Sequence, residues 1–529
     1  MIRSTFAGFT TAQLGMAASQ RALDVAGQNI ANINTIGYTK QRLDVASLNL
    51  QKGDMYNSKS NIKVGFGAEM TAISQLRDPF LDAQYRSQIS RLGTSDAHAA
   101  GFERLTPIFD EAVMDGVRDA FISLTSSLST LSTQVGNQEN DALVRSKMQT
   151  ILNLFHDNAV RLQDVRDDIQ TGFATTDLGD LNQILENIAE LNTNIKNSQI
   201  LGNPALELKD QRNNLLDELG SYLPISVKYK DKNIGPGQTV EIMEVYFTDT
   251  NGEKHTLISD GRFSEFDADI SGSPVTLSLM DADGNTVDVT NTIGSGTLKG
   301  TLDLLNKSGD FDGSDFKGIG YYEKALDSLV DTFANQFNEL NKVKDEDGNF
   351  IAGKENPLFV TTDGATGKNK FTALNIKIAD DWANGTYGIT ASNKYVVVDK
   401  DKGTTANENI LNMVKLLESK TVEFSVPVKN SDGTTRDVKF YTGNFHDCFA
   451  NLEATLGIDY KATNTMLMNQ ISVLNETSNN RDAVSGVQLD EEGMDLLHYN
   501  QSYSAAARFM TTLDEALDKL INGTGVVGR

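Results

Sequence analysis

The chain has 529 residues, 39% of them hydrophobic, and a net charge of −25 from 47 basic and 72 acidic side chains. That length suggests roughly three to four domains, and the acidic balance argues against nucleic acid or an anionic membrane as a partner. There is no run of about 18 apolar residues to cross a membrane, and Cys448, the only cysteine, excludes an intrachain disulfide.

The opening MIRSTFAGFTTAQLG has neither a continuous apolar stretch nor a small-residue cleavage site, so no Sec-type signal peptide is expected. Its periodicity predicts a helix. Ile2, Phe6, Phe9, Gln13, Met16, Gln20, Leu23, Gly27 and Ile30 fall at alternating steps of four and three, a heptad seam with Ser4 or Thr5 as its cap. An ordinary amphipathic core helix gives the same pattern. The helix ends in NIANINTIGYTKQR, Asn29 to Arg42. There Asn32 and Asn34 tolerate left-handed geometry, Gly37 adopts it freely, and Tyr38 offers a ring to pack back on the turn.

Residues 46–81 are mixed, with GFGAEMTAISQL as a short strand. From Tyr85 to Tyr222 the pattern is of long helices, with Leu181, Ile184, Ile188, Leu191 and Ile195 again stepping by three and four. In GNPALELKDQRNNLLDELGSYL, Asn203 is placed as N-cap and Pro204 at the first helical position. Alternating segments broken by NG, DG and GP then predict a β-rich region over 223–295. Helix returns at 321–343, a second β-rich region follows at 346–404, then a helix at 407–419, a hairpin at 421–440 and a helix from 445 to about 480. The last segment is the most regular. Leu496, Tyr499, Tyr503, Ala506, Met510, Leu513, Leu517 and Leu520 step three, four, three, four, with Leu489 one heptad earlier and acids at the start to suit the helix dipole.

The fold class expected is α+β and multidomain, with a nested chain. The N- and C-terminal helices (1–45 and 484–529) pair as a coiled coil. A long-helix middle domain takes 46–222, 296–345 and 405–483, and outer β-rich insertions take 223–295 and 346–404. The two ends suit one another in charge: residues 1–42 carry a net +3 and residues 485–529 a net −4. A helix pair closed by a loop this long has few neighbours of its own, so the ends are expected to order fully only among other subunits.

Enzyme chemistry finds no footing. The five histidines, His98, His156, His255, His446 and His498, fall in no HExxH, and neither GxSxG nor a P-loop occurs. His446 and Cys448 lie two residues apart, which splays them on a helix. DADGNT at Asp281 and DEDGNF at Asp345 begin like calcium loops, but their twelfth positions are Thr292 and Asn356 rather than Glu. No catalytic residue, cofactor or metal is therefore expected, and these acids are placed in hairpin turns.

NIANINTIGYTKQR resembles the Asn-rich signature of the bacterial flagellar rod, hook and hook-associated axial proteins. VSGVQLDEEGMDLLHYNQSYSAAARFMTTLDEALDKLIN, Val484 to Asn522, is similar to their C-terminal helix. GNPALELKDQRNNLLDEL, GTLKGTLDLLN before LVDTFANQFNELN, and NFHDCFANLEATLG resemble the hook-associated members that join hook to filament. The resemblance covers most of the helical frame, while the β regions match in position only and the 421–440 hairpin is extra.

This resemblance implies an inner tube built from the terminal helices, with Asn29, Asn32, Asn34, Gly37 and Tyr38 as the motif where the chain leaves it. It implies self-assembly into a ring-like axial polymer, contact with the hook protein and with a second junction protein below the filament, and a chaperone bound near the C-terminal helix. It also implies export, unfolded, from the cytoplasm by the flagellar type III pathway to the extracellular flagellum. A hook or distal rod protein, and an axial protein whose β domains also act as an adhesin, remain the alternatives.

Overall fold

The structure is a computed structural model. It describes residues 5–48, 65, 67–235, 238–343, 349–351, 353, 355–392, 406–429 and 433–523. Helix α1 (Thr5–Ala31) runs through the Asn-rich turn into an antiparallel pair, β1 (Gln41–Ser47) and β2 (Ala68–Gln75). The helical frame follows as α2 (Pro79–Leu105), α3 (Glu111–Thr133), α4 (Gln138–Gly172), α5 (Leu178–Ile200) and α6 (Leu206–Tyr222).

Local chemistry accounts for these boundaries. Asp78, Asp110 and Asn137 accept from the first free amides of α2, α3 and α4, and Pro79 opens α2 where its missing N–H costs nothing. Between α4 and α5 the helix is not broken. One π-turn, Phe173–Asp177, buries Phe173 and lets a single rod run from 138 to 200. The cap placed at Asn203 is a correction. Asn203 Oδ1 accepts from Ala205 N at 3.0 Å, Ala205 is left-handed (φ 54°), and α6 begins only at Leu206.

Seven strands come next, in two antiparallel sheets. β3 (Ile225–Gly235), β4 (Gln238–Thr248), β5 (Lys254–Ser259) and β6 (Arg262–Phe263) form one in chain order, and β7 (Glu265–Asp269), β8 (Thr276–Met280) and β9 (Thr286–Asp288) the other. Both pack on α5. There Asn182 grips the backbone of Phe266, donating to its C=O and accepting from its N–H, each at 2.9 Å.

Helices α7 (Thr297–Asn306) and α8 (Ile319–Asn341) return to the frame. Next come β10 (Phe359–Thr361), β11 (Ile376–Ile378), the short α9 (Asp380–Ala383), α10 (Glu408–Glu418), the hairpin β12 (Val422–Lys429) with β13 (Thr435–Gly443), then α11 (Phe445–Ser485) and α12 (Leu489–Asp518). The second β-rich region is the larger correction. Among its described residues only β10 and β11 are strands, three residues each. Phe359, Phe371 and Trp382 are buried in the same core as α4 and α8. Its backbone amides find side-chain partners instead of a ladder: Asp331 accepts from the N–H groups of Asn369, Lys370 and Phe371, and Asn338 from those of Leu358 and Phe359.

One hydrophobic core joins the frame to strands of both sheets, and within it Phe121 and Phe333 touch each other and each also touches Phe155 and Phe445. α11 enters it only through its first turns, Phe445 to Leu456. No described residue of α1 or α12 belongs to it. The terminal helices pair with each other, outside.

Candidate assembly interface

α1 and α12 pack along each other in antiparallel fashion. A Cβ on Gly8 would stand 2.9 Å from Leu513 Cδ1, and one on Gly15 would stand 3.7 Å from Ala506 Cβ. The buried positions of α1 are Ala12, Ser19, Ala22, Val25, Ala26 and Asn29. Mostly small, these side chains allow a close approach. The large residues of the N-terminal seam, Phe9, Met16, Leu23 and Ile30, are half-buried at its flank. Ile2 and the side chain of Phe6 lie outside the described residues.

On α12 the stepped seam faces the partner helix. Leu496, Tyr499, Met510, Leu513 and Leu517 are half-buried, while Tyr503, Leu489 and Leu520 are more open. Glu492 alone is buried on this helix. Other large apolar side chains of α12 are left open: Met494 (63% exposed), Leu497 (66%) and Phe509 (45%).

The Asn-rich turn locks the base of this pair. Asn29 is buried and reproduces a strand partner for Gln41, accepting from its N–H on Oδ1 and donating from Nδ2 to its C=O, both at 3.0 Å. Tyr38 returns to the same residue, its hydroxyl donating to Asn29 Oδ1 at 3.0 Å. Burial, with Asp210 nearby, pushes that phenol up to about 12. Asn32 closes the helix end, donating to Gln28 O and accepting from Thr35 Oγ1. Asn34 is exposed, and Ile36 at the tip is 92% exposed. Gly37 has φ +76°, which favours glycine, and a Cβ there would lie 2.0 Å from the exposed Asn214 side chain of α6, which would have to move.

From this turn a polar network runs into the frame. Thr39 gives Asp210 two hydrogen bonds, and Arg77 reaches both Thr39 and, bidentately, Asp82. Burial raises the Asp210 carboxyl above the usual range, against the pull of Thr39 and Arg77. Arg86 and Arg481 meet on Asp217, and the Arg481 guanidinium lies 3.9 Å over the Tyr85 ring. Lys40 N donates to Ser485 O at 2.8 Å, at the elbow between α11 and α12. Lys40 Nζ stands 2.8 Å from Glu491 and 3.2 Å from Glu492. Burial works against the Lys40 charge, yet bonds to these two carboxylates more than offset it and raise its pKa.

The network residues Lys40, Asp210, Asp217 and Glu492 escape a reading by apolar period. Their signal is Asp210, Asn213 and Asp217 at steps of three and four, a polar stripe that periodicity assigns to solvent. His446 is half-buried beside Asp447, and Cys448 is fully buried. Asp281 closes the β8–β9 turn with its own loop amides, while Asp345 lies outside the described residues.

Comparison with known proteins agrees with this layout. Residues 102–354 match the family of the flagellar hook-associated protein FlgK helical domain. Residues 9–39 match that of the flagella basal body rod protein, and residues 481–523 that of the flagellar basal body rod FlgEFG protein C-terminal region. Flagellar hook-associated protein 1 of Bacillus subtilis (strain 168) is 28% identical, over 99% of this chain and 100% of the relative. Its counterparts in Salmonella typhimurium and Escherichia coli (strain K12) are each 25% identical, over 97% of this chain and 98% of theirs. The fold is shared with the flagellar hook junction protein FlgK from Burkholderia pseudomallei, at a TM-score of 0.53 and 12% identity, over 76% of this chain and all of that one. With much of its helical frame and both of its ends matched, and with relatives aligned over nearly their whole length, the chain is similar from end to end to the flagellar hook-associated protein 1 family.

Proposed function

We propose that the chain is a structural junction protein that polymerises at the distal end of the hook and adapts hook to filament. The observation that carries this reading is the terminal pair itself. It stands outside the core, it is apolar on the face that α1 covers, and it is apolar again at Met494, Leu497 and Phe509 where nothing covers it. Open apolar side chains on a helix that already packs by another face mark a surface suited to burial by neighbours. Copies of the chain arranged as a ring, with the hook protein beneath and a second junction protein above, supply those neighbours. Asn29, Asn32, Asn34, Gly37 and Tyr38 then set the angle at which each subunit leaves the tube.

In the same proposal, 1–45 and 484–529 form the axial part, the helical frame is the middle domain, and 223–295 lies outermost. The chain reaches the extracellular flagellum by type III export, after a cytoplasmic stage with a chaperone near α12. The role is architectural, without a catalytic step. A strain deleted for this chain should build hooks, fail to hold filaments and release flagellin into the medium, and the full-length chain should restore swimming. A deletion strain with normal filaments would contradict the proposal.

A further inference from the structure

We propose that the turn between β4 and β5 is a binding site for a divalent transition-metal ion of the zinc class, held by Asp249, Glu253 and His255. One ligand atom from each of these residues lies within 4.8 Å of the other two. Asp249 and His255 are buried and Glu253 is exposed, which leaves an entry path from solvent.

The carboxylate and the imidazole are both positioned in advance. Asp249 Oδ1 accepts from Asn251 N at 2.9 Å and Glu253 N at 2.7 Å, which fixes the group and leaves Oδ2 with only a long 3.4 Å contact to Asn251 Nδ2. The His255 ring stacks on Phe247, with centroids 4.9 Å apart. Its Nε2 is buried, has no hydrogen-bond partner, and lies 3.6 Å from Asp249 Oδ2. That separation is too long for an N–H···O hydrogen bond. Two ligands bonded at about 2.0–2.2 Å to one tetrahedral ion stand roughly 3.4 Å apart, so the gap fits an ion between them.

The donor set selects the metal. Calcium and magnesium take all-oxygen shells, whereas an imidazole with two carboxylates suits zinc and its neighbours, with water at the fourth position. The turn is also tied to the chain beyond β9, through Thr250 N to Thr292 O at 2.8 Å. An ion here would brace the turn beside that link.

The test is titration calorimetry of the full chain, stripped of metal by chelator dialysis, with zinc chloride and separately with calcium chloride. Two variants accompany it: His255→Phe, which keeps a ring on Phe247, and the surface change Glu253→Gln. We expect one zinc per chain, no saturable calcium heat, and zinc affinity reduced in both variants. His255→Phe should lose at least about 100-fold, beyond the roughly 10–100-fold that second-shell changes cost. Absence of saturable zinc binding, calcium binding as tight as zinc, or zinc affinity unchanged in either variant would overturn the proposal.

Discussion

Asn29 and Gln41 are twelve residues apart, yet the Asn29 side chain holds both sides of the Gln41 peptide group, at 3.0 Å each. An amide side chain offers a donor and an acceptor side by side in one plane, which matches the two sides of a peptide group. The end of α1 and the start of β1 are thereby fixed to each other before the chain enters the frame.

Asn29→Asp keeps the shape and removes the donor. Gln41 C=O then faces an oxygen, and a carboxylate sits at a position that is 2% exposed. The local cost is about 1–3 kcal/mol or more, so the Gln41 amide should exchange with solvent at least about tenfold faster by hydrogen-exchange mass spectrometry. The melt of the frame should not move, because the clasp is outside the core. Unchanged protection at Gln41 would show that the clasp does not hold the turn.

Gly37→Ala meets two obstacles at once, a positive φ worth roughly 1–2 kcal/mol and a Cβ 2.0 Å from Asn214. Swimming should fall sharply. Adding Asn214→Gly removes the clash and leaves the backbone strain, so the double variant should recover part of the loss. Full recovery would mean that the left-handed conformation is not required.

Leu513→Asp separates assembly from folding. Leu513 is half-buried over Gly8 in a helix pair outside the core, so the soluble chain should melt within about 2 °C of the parent. In a polymer the carboxylate would be desolvated, at several kcal/mol per subunit, and filaments should be lost. Ile188→Asp in α5, fully buried in the parent, should instead lower the melt by about 10 °C or more, since 1 kcal/mol shifts a domain of this size by roughly 2–4 °C. Equal loss of stability in the two variants would place α12 within the folding core.

Asp327 supplies a pH dependence. Burial raises its pKa from 3.8 to about 6, against one bond from Ala373 N. The folded state therefore binds its proton more tightly than the unfolded state. The resulting penalty is fully present above pH 6 and fades as pH falls from 6 towards 3.8. Asp327→Asn keeps the acceptor without the charge. It should stabilise the chain at pH 8 by up to about 3 kcal/mol and by much less at pH 4, as read from thermal melts. A gain independent of pH would reject burial of the charge as its cause.

Much of this architecture is legible in the sequence, because a long helix repeats its apolar signal many times. The C-terminal seam from Leu496 to Leu517 and the rod through Leu181, Ile184 and Ile188 are read that way. What periodicity hides is contact made by small or polar residues. On α1 the face towards α12 is Ala12, Ser19, Ala22 and Ala26, chosen for closeness, so a search for large side chains settles one position away. Asn29, Asn182 and Asn338 each hold a strand backbone from a helix, and nothing in composition separates them from solvated asparagines. The 346–404 stretch, with its Gly and Asn residues, reads as a second β-rich region, but Asp331 and Asn338 hold its backbone against the core, and only two short strands form among its described residues.

The most direct test of the junction role is where the chain sits. Immunogold labelling of hook–basal bodies isolated from a strain without filaments, using antibody to this chain, should mark a thin band at the distal hook end and nothing below it. Label along the hook or on the rod would contradict the account and assign the chain to another part of the axis.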